Sequence, residues 1–260
     1  MQYFKTKICL SPGLPSAALV CRLLQMIFEQ YRWFRPMRYG YADLDGTLNP
    51  ERIDYGALGA FYEERKTLFV AAKTDRDFIL IHPSKPYEKP EPEFPYTGSI
   101  SWTTSVKEAT RSKWRQAHLL QVQELMGLLH SPLAQAGTGA DFDRKEWRIV
   151  PSPDGIGQVQ QFTVRDYSEG LAGLYWRNFL GPPFLRLFGD RLDTLPAECR
   201  QELSDELVLV QPYELPTQAG TPEGDTRERQ LISLLGPECF YDHERHVKPS
   251  RRPELGPPLH

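Results

Sequence analysis

The chain of 260 residues is long enough for one large domain or two small ones, and its 40% apolar and 25% charged residues are ordinary for a globular protein. A formal net charge of −3 argues against a nucleic-acid-binding protein, because such proteins usually carry a basic face. The sequence contains no apolar run near the ~20 residues of a membrane-spanning helix. We therefore expect a protein with a substantial core that binds neither nucleic acid nor membrane.

The cysteines and the N-terminal residues bear on the compartment. No CxxC pair occurs among the four cysteines, which predicts reduced thiols in a reducing compartment: Cys9, Cys21, Cys199 and Cys239. Lys5 and Lys7 precede an apolar stretch that faintly resembles an export signal ending at Cys21, but two prolines and a glycine interrupt it. The apolar spacing also continues past Cys21 as one face of a helix. We therefore expect a cytoplasmic protein.

The N-terminal third predicts two helices among several strands. The first helix should begin near Ser16 and end before Pro36. Asn49 as the capping residue and Pro50 as the first helical residue predict a second helix, which ends near Lys66. Strands are predicted at 37–41, 67–73, 77–83 and 97–105. The segments 67–73 and 77–83 form either a hairpin or one strand and a loop.

The middle of the chain combines a connector with a long helix. Five prolines and three glutamates at 83–95 predict a surface connector. Ser105 and Glu108 match a capping box, in which the two side chains satisfy backbone amides reciprocally at the start of a helix. That helix should bury a stripe of apolar side chains formed by Leu119, Val122, Met126 and Leu129.

Further strands and a last helix are predicted in the C-terminal part. WRIV at 147–150 and GQVQQFTV at 157–164 should pair antiparallel about a turn at 151–157, and ELVLVQPY at 206–213 is strand-like. Thr221 followed by Pro222 predicts the start of a helix that ends at Gly236. Its inner face should consist of Leu231, Leu234 and Leu235.

The segment GLYWRNFLGPPFLRLFG at 173–189 is the densest in large apolar side chains, because nine of its seventeen residues are Leu, Phe, Tyr or Trp. Such density favours a buried strand, a Gly-Pro-Pro corner and a short helix driven into the core. The alternative is a binding surface anchored by Tyr175, Trp176 and Arg177, since these residue types are favoured at interaction hot spots. We predict burial of Trp176 and Phe184.

These elements predict an α+β fold with a mostly antiparallel sheet or sheets flanked by helices. The two halves share a loose helix–strand–strand–helix order, which is compatible with an old duplication. We expect a single α+β domain over residues 1–250, with a division near 131–157 if it has two lobes, and a proline-rich tail at 251–260.

DLDGT, with Asp43 and Asp45, matches the hallmark motif of haloacid-dehalogenase-type phosphatases, in which the first Asp attacks phosphorus, the second moves the proton and both help to hold Mg²⁺. That chemistry requires the end of a central parallel strand, which is buried on both faces and apolar throughout. The preceding residues FRPMRYGYA instead predict a half-exposed strand. Asp45-Gly46 is also a strong turn dipeptide. We interpret the motif as a turn and keep a Mg²⁺-dependent phosphatase as the alternative function.

No other catalytic, metal-binding or cofactor-binding residues are predicted. His243 and His246 are three residues apart beside acidic residues, but zinc needs more ligands, and the segment is interpreted as exposed and polar. His82, His118 and His130 lie in unrelated contexts. The sequence contains no GxSxG, HExxH or phosphate-cradling loop. Partner-binding residues and the oligomeric state stay unassigned.

Three stretches resemble the family called immunity protein 52, which belongs to bacterial polymorphic toxin systems: YWRNFLGPPFLRLFGDRLDTLP, VLVQPYELPTQAG and RERQLISLLGPECFYD. The pattern is also similar to a broader group of type VI secretion immunity proteins. The resemblance implies an immunity-like domain that binds a cognate toxin encoded nearby and blocks it. It implies no enzyme activity, cofactor or metal, and it carries over no catalytic residue.

Overall fold

A computed structural model describes residues 3–74, 76–83 and 97–255. The predicted connector at 83–95, apart from Pro83, and the last five residues of the tail lie outside the described residues. Among the described residues, the chain divides into two compact units, residues 3–134 and residues 135–255. Each unit is described by itself.

The first unit contains a sheet in which every neighbouring pair is antiparallel, in the order β1-β6-β5-β4-β2-β3. Alternation in the sequence YFKTKIC places Phe4, Thr6 and Ile8 on the buried face of β1, as the period of a strand requires. Ile8 and Ile81 both lie opposite Ile100, so the three side chains form one buried row. The strands are β1 (Tyr3–Cys9), β2 (Arg38–Gly40), β3 (Gly46–Thr47), β4 (Leu68–Ala71), β5 (Phe78–His82) and β6 (Ser99–Ser105).

The helices of the first unit are α1 (Ala17–Gln25), which a π-helical turn (Met26–Gln30) extends, α2 (Tyr55–Arg65), α3 (Val106–Ala109) and α4 (Ser112–Leu129). The Ser16 hydroxyl accepts from the Leu19 amide at 3.2 Å and caps α1, as predicted. Ser105 likewise caps α3 by accepting from the Lys107 amide, but the predicted single helix from Ser105 is wrong, because α3 ends at Ala109 and α4, which carries the predicted stripe, begins at Ser112.

The predicted start of α2 at Asn49 is wrong. Asn49 accepts from the Glu51 amide at 3.1 Å, but this closes only a turn. Asp54 supplies the cap by accepting from the Ala57 amide at 2.9 Å, and the helix begins after it. The sequence offers two good capping residues, and the second one precedes the longer run of helix-forming residues.

The stripe predicted for α4 is confirmed at Val122, Met126 and Leu129, which are buried. Leu119 is only half-buried, whereas His118 is 2% exposed. The inner face is therefore rotated slightly, and it includes an imidazole whose Nε2 lies 3.0 Å from the Thr6 hydroxyl oxygen.

The second unit contains a sheet with the order β11-β12-β10-β7, in which β12 is antiparallel to β10 and to β11, and a separate antiparallel hairpin of β8 and β9. The hairpin is the predicted one. The elements are β7 (Leu133–Thr138, whose first two residues precede the division), α5 (Gly139–Glu146), β8 (Trp147–Pro151), β9 (Gln158–Phe162), β10 (Arg177–Leu180), α6 (Pro182–Phe188), β11 (Arg200–Ser204), β12 (Leu207–Val210) and α7 (Pro222–Leu235).

The α+β prediction with mostly antiparallel sheets is confirmed. The order helix–strand–strand–helix occurs in each unit, as α1-β2-β3-α2 and as α6-β11-β12-α7. Thr221 caps α7 as predicted, with its hydroxyl 3.1 Å from the Gly224 amide. Leu231 and Leu235 are fully buried, but Leu234 is 41% exposed, so its predicted burial is wrong.

Candidate functional site

Asp43 and Asp45 lie in an exposed loop that joins β2 to β3. The two strands pair antiparallel, with Tyr39 opposite Gly46, and β2 is antiparallel to β4 on its other side. This is the turn that the sequence predicts. The parallel central strand that a phosphatase nucleophile requires is therefore not present at the DLDGT motif.

The predicted polar segment around His243 and His246 is confirmed as exposed. His243 Nε2 lies 2.6 Å from the carbonyl oxygen of Ala172, so this imidazole is engaged by the backbone. Within the described ranges, no group of three or more His, Cys, Asp and Glu side chains is placed to hold a metal ion. None of the described helices is both long enough and apolar enough to cross a membrane.

The segment 173–189 is core. Trp176 and Phe184 are 0% exposed, as predicted, and the Trp176 indole donates to the carbonyl of Glu214 at 2.9 Å. Tyr175 and Arg177 are also buried, and the Arg177 guanidinium lies 4.2 Å from the centroid of the Trp176 ring. The alternative interpretation, in which Tyr175, Trp176 and Arg177 anchor a partner, is therefore wrong.

A buried ionic cluster fixes the start of that segment. The Lys145 ammonium lies 3.0 Å from the Asp141 carboxylate and 2.8 Å from the Glu228 carboxylate, and it also donates to the carbonyl of Leu174. Glu228 in turn accepts from the Leu174 amide at 3.0 Å. The Arg144 guanidinium lies 2.7 Å from Asp141 and 3.8 Å from Glu228, so two cations balance the two carboxylates. The cluster therefore joins α5 and α7 to the chain before β10.

The first unit carries an aromatic cleft of about 340 Å³. The Trp33 and Trp102 rings stack with centroids 4.2 Å apart, and Trp114 stacks on His118 at 4.7 Å. The Trp33 indole donates to the Gln121 side chain at 2.8 Å. The cleft wall is thus held by stacking and hydrogen bonds within the unit, as in a structural aromatic cluster.

The hairpin of β8 and β9 has a different character, because it exposes large apolar side chains. Among the described residues nine large hydrophobic side chains are exposed, and four of them lie between 149 and 162. These four are Ile149 (66% exposed), Ile156 (81%), Val159 (40%) and Phe162 (45%). A concentration of this kind on a small element is typical of an interaction surface rather than of scattered surface residues.

Strand alternation sorts the side chains of the hairpin onto two faces. Trp147 lies directly opposite Phe162 in the register, and their rings stack with centroids 3.8 Å apart. Ile149 follows Trp147 on the same face, because successive side chains of a strand point to opposite sides. We name the three side chains Trp147, Ile149 and Phe162 the apolar face. A stacked aromatic pair beside an exposed isoleucine provides rigid apolar area for a protein partner.

The hairpin is held firmly at its base. The Arg148 guanidinium donates to the Tyr241 hydroxyl at 3.2 Å and to the Gln161 side chain at 2.6 Å. The Thr163 amide donates to the carbonyl of Glu146 at 2.9 Å, and its hydroxyl donates to the carbonyl of Lys145 at 2.6 Å. The bond from Arg148 to Tyr241 holds the hairpin to a residue outside it, on the face opposite the apolar face, while the other contacts tie the two strands and their ends together.

The tip of the hairpin is a compact turn. Asp154 accepts from the Ile156 amide at 2.9 Å, and the Ser152 amide donates to the carbonyl of Gly157 at 3.1 Å. Gly155 and Gly157 have φ of 76° and 79°, which favours glycine at both positions. The hydrogen bonds that the Ser152 hydroxyl and the Ile156 amide direct to the exposed Asp154 carboxylate lower its pKa. The turn therefore presents Ile156 in a defined position.

Sequence reasoning found the two strands of the hairpin but not the exposure of their apolar side chains. The signal was present in the spacing of Trp147 and Ile149, two residues apart in WRIVP, and in the absence of charge in QVQQF. Such spacing alone predicts a half-buried strand, and only the structure shows that Ile149 and Phe162 are exposed beside the half-buried Trp147.

No family model matches the chain, and no curated protein matches it. Among solved structures, the chain is similar to the Pseudomonas aeruginosa T6SS protein PA0821, with a TM-score of 0.56. The two share 11% sequence identity over 98% of this chain and 79% of that chain. At this identity, the likeness shows a shared fold.

Proposed function

We propose that this chain is an immunity protein of a bacterial polymorphic toxin system that acts in a type VI secretion context. It binds a cognate toxin encoded nearby and blocks it, without catalysis of its own. The observation that carries the proposal is the fold likeness to a T6SS protein, because it extends over 98% of the chain rather than over one motif. The resemblance of residues 175–242 to the immunity protein 52 family supports the same function.

The hairpin is the part of the second unit that we assign to toxin contact. An immunity protein has to hold its toxin at low cellular concentrations, so nanomolar binding is expected, which corresponds to ~12 kcal/mol. Binding of this strength usually rests on a few anchors within a patch of ~800 Å² on each partner. Trp147, Ile149 and Phe162 are anchors of the required kind, because Ile149 and Phe162 are large and exposed, and Phe162 stacks on the half-buried Trp147 of the same hairpin.

The partner surface that fits this face is mostly apolar, carries little charge and offers hydrogen bonds to Gln158 and Gln160, which the register places on the same face. β9 contains no charged residue, and Arg148 on the opposite face of β8 is engaged by Gln161 and Tyr241. A charged partner group brought against the apolar face would lose water without gaining a counter-charge. Any attraction between the protein's net charge of −3 and a basic toxin acts at longer range and speeds the encounter.

The test is co-expression. Bacteria that express the adjacent toxin gene should survive with this protein and die without it, and the purified protein should retain the toxin in a pull-down. The toxin expressed with an empty vector is the control for killing. If no genetically linked protein is toxic alone and none binds the purified chain, the immunity function is rejected.

A further inference from the structure

The outer edge of β9 has the features of a strand that pairs with another strand. All five of its residues are exposed, and QVQQF contains neither a charged residue nor a proline. Proteins usually protect the edges of their sheets with such residues, because an unprotected edge pairs with other chains. Within the part of the chain that the structure describes, β9 pairs only with β8.

The hydrogen-bond register shows which backbone groups point outward. The bonds from Ser152 to Gly157 and from Thr163 to Glu146 lie at two ends of the same ladder. In an antiparallel pair, residues that bond the partner strand alternate with residues that point away from it. Val159 and Gln161 therefore bond β8, while the N–H and C=O groups of Gln158, Gln160 and Phe162 point to the free edge.

We propose that β9 pairs antiparallel with β9 of a second copy of this chain, with Gln160 on the two-fold axis. In this register Gln160 bonds Gln160 of the second copy, and Gln158 bonds Phe162 in both directions. The outward N–H and C=O groups of Gln158, Gln160 and Phe162 then all have hydrogen-bond partners, because the outward positions of the two strands lie opposite one another. The contact is self-complementary, as a two-fold interface requires.

The charge pattern favours an identical strand as the occupant. In this register position 160 faces its own copy directly, so a charge at position 160 would be repelled by the same charge on the second strand. The five residues carry none. The pairing also joins the two hairpins into one four-stranded sheet, and the apolar faces formed by Trp147, Ile149 and Phe162 then lie on the same side of it.

The length of the edge sets the strength of the dimer. Five residues span about 17 Å, and one strand edge buries far less than the ~800 Å² per partner of a stable complex. A dimer with a dissociation constant of about 10–100 µM is therefore expected. Sedimentation equilibrium of the wild-type chain between about 1 and 300 µM should show a monomer at the low end and a dimer at the high end.

Two variants test the edge. Gln160→Pro removes the outward N–H but spares the bonds to β8, because these come from Val159 and Gln161. It should weaken the dimer at least ~10-fold, whereas Gln160→Ala, which keeps the N–H, should stay within ~3-fold of wild type. A wild-type chain that is monomeric throughout, or a Gln160→Pro dimer as strong as the wild-type dimer, overturns the proposal.

Cross-linking provides a measurement that does not depend on the fold of the proline variant. Two Gln160→Cys residues would lie about 5.5 Å apart across the axis, so a short bifunctional maleimide should couple them. Ile156→Cys is the matched control, since Ile156 is 81% exposed but the two copies would be about 27 Å apart at 3.4 Å per residue. The wild-type chain controls for Cys21, which is half-buried. Coupling through position 156 instead of position 160 overturns the register.

Discussion

Residues 173–189 and the hairpin of residues 147–162 are both rich in large apolar side chains, but the structure uses them in opposite ways. In the first segment Trp176, Phe179 and Phe184 are 0% exposed. In the hairpin, Ile149 is 66% and Phe162 is 45% exposed. The comparison shows that apolar density marks the core, whereas a few apolar side chains among polar ones on an uncovered element mark a surface that a partner can use.

The neighbours of each segment explain the difference. Leu174, at the start of the buried segment, is bonded through its amide and its carbonyl to Glu228 and Lys145, and β10 is paired with β12. The hairpin is held by its base and by Arg148 on one side. The buried segment is therefore held by the fold, whereas Ile149 and Phe162 of the hairpin stay exposed.

The largest expected effect is that of Trp176→Ala. Removing a fully buried indole should lower the free energy of unfolding by about 3–5 kcal/mol, because the cavity adds to the lost transfer energy. Phe162→Ala is the control in the hairpin and should cost less than about 1.5 kcal/mol, because that ring is 45% exposed and its best-defined contact is the stack with Trp147. Urea denaturation measures both. Equal losses would contradict the contrast between the segments.

Glu228→Ala tests the ionic cluster that holds the buried segment. It leaves the Lys145 ammonium with Asp141 but without its second carboxylate, and it leaves the Leu174 amide unpaired, so a loss of about 3 kcal/mol is expected. Glu228→Gln retains an acceptor for the Leu174 amide and should lose less. If the two variants unfold at the same urea concentration, the hydrogen bond to Leu174 contributes nothing.

Much of this contrast was predictable from the sequence, but not all of it. Density and the Gly-Pro-Pro corner predicted the burial of Trp176 and Phe184, and two strand-like runs about the turn at 151–157 predicted the hairpin. The caps at Ser16, Ser105 and Thr221 were also predictable, because a capping bond is local in sequence. The ionic cluster was not, because Lys145 and Glu228 are far apart in the chain and meet only through the fold. The exposure of the apolar face depends on what packs against it, which no local pattern encodes.

Ile149→Asp should weaken toxin binding by about 30-fold, or ~2 kcal/mol, because it places an unpaired charge at an apolar contact. The free energy of unfolding should change by less than about 0.5 kcal/mol, since Ile149 is 66% exposed. The matched control is Leu120→Asp on α4, where the leucine is 64% exposed in the first unit. Calorimetry with the purified toxin measures both. Equal weakening by the two variants would show that the hairpin is not the contact.

The pH dependence of the free energy of unfolding tests the contribution of Glu169, a buried carboxylate that precedes the segment 173–189. Burial raises the pKa of Glu169, but the Arg165 amide at 3.0 Å and the Lys248 ammonium at 2.9 Å outweigh it, so that the pKa lies below its usual value of 4.5. A depressed pKa adds stability that is fully present above the unfolded-state value and is lost as the pH falls through the folded-state value. Lys248→Ala should therefore reduce the difference in urea midpoint between pH 7 and pH 3. An unchanged difference would exclude this contribution from Lys248.

Asp43→Asn should have the smallest effect, within about 0.5 kcal/mol, because Asp43 lies in the exposed loop between β2 and β3. Protection against the toxin should be unchanged. Hydrolysis of a generic phosphate ester in the presence of Mg²⁺, abolished by this substitution, would instead support the phosphatase alternative.

Amide hydrogen exchange of the chain, alone and bound to the co-expressed toxin, tests the central claim most directly, because it reports on both segments in one experiment. In the free protein, at a concentration where it is monomeric, the amides of β10 should exchange slowly and the outward amides of Gln158, Gln160 and Phe162 quickly. Toxin binding should slow exchange across residues 147–162 and leave residues 173–189 unchanged. Protection that appears elsewhere while the hairpin is unaffected would contradict the assignment of the hairpin as the toxin-binding surface.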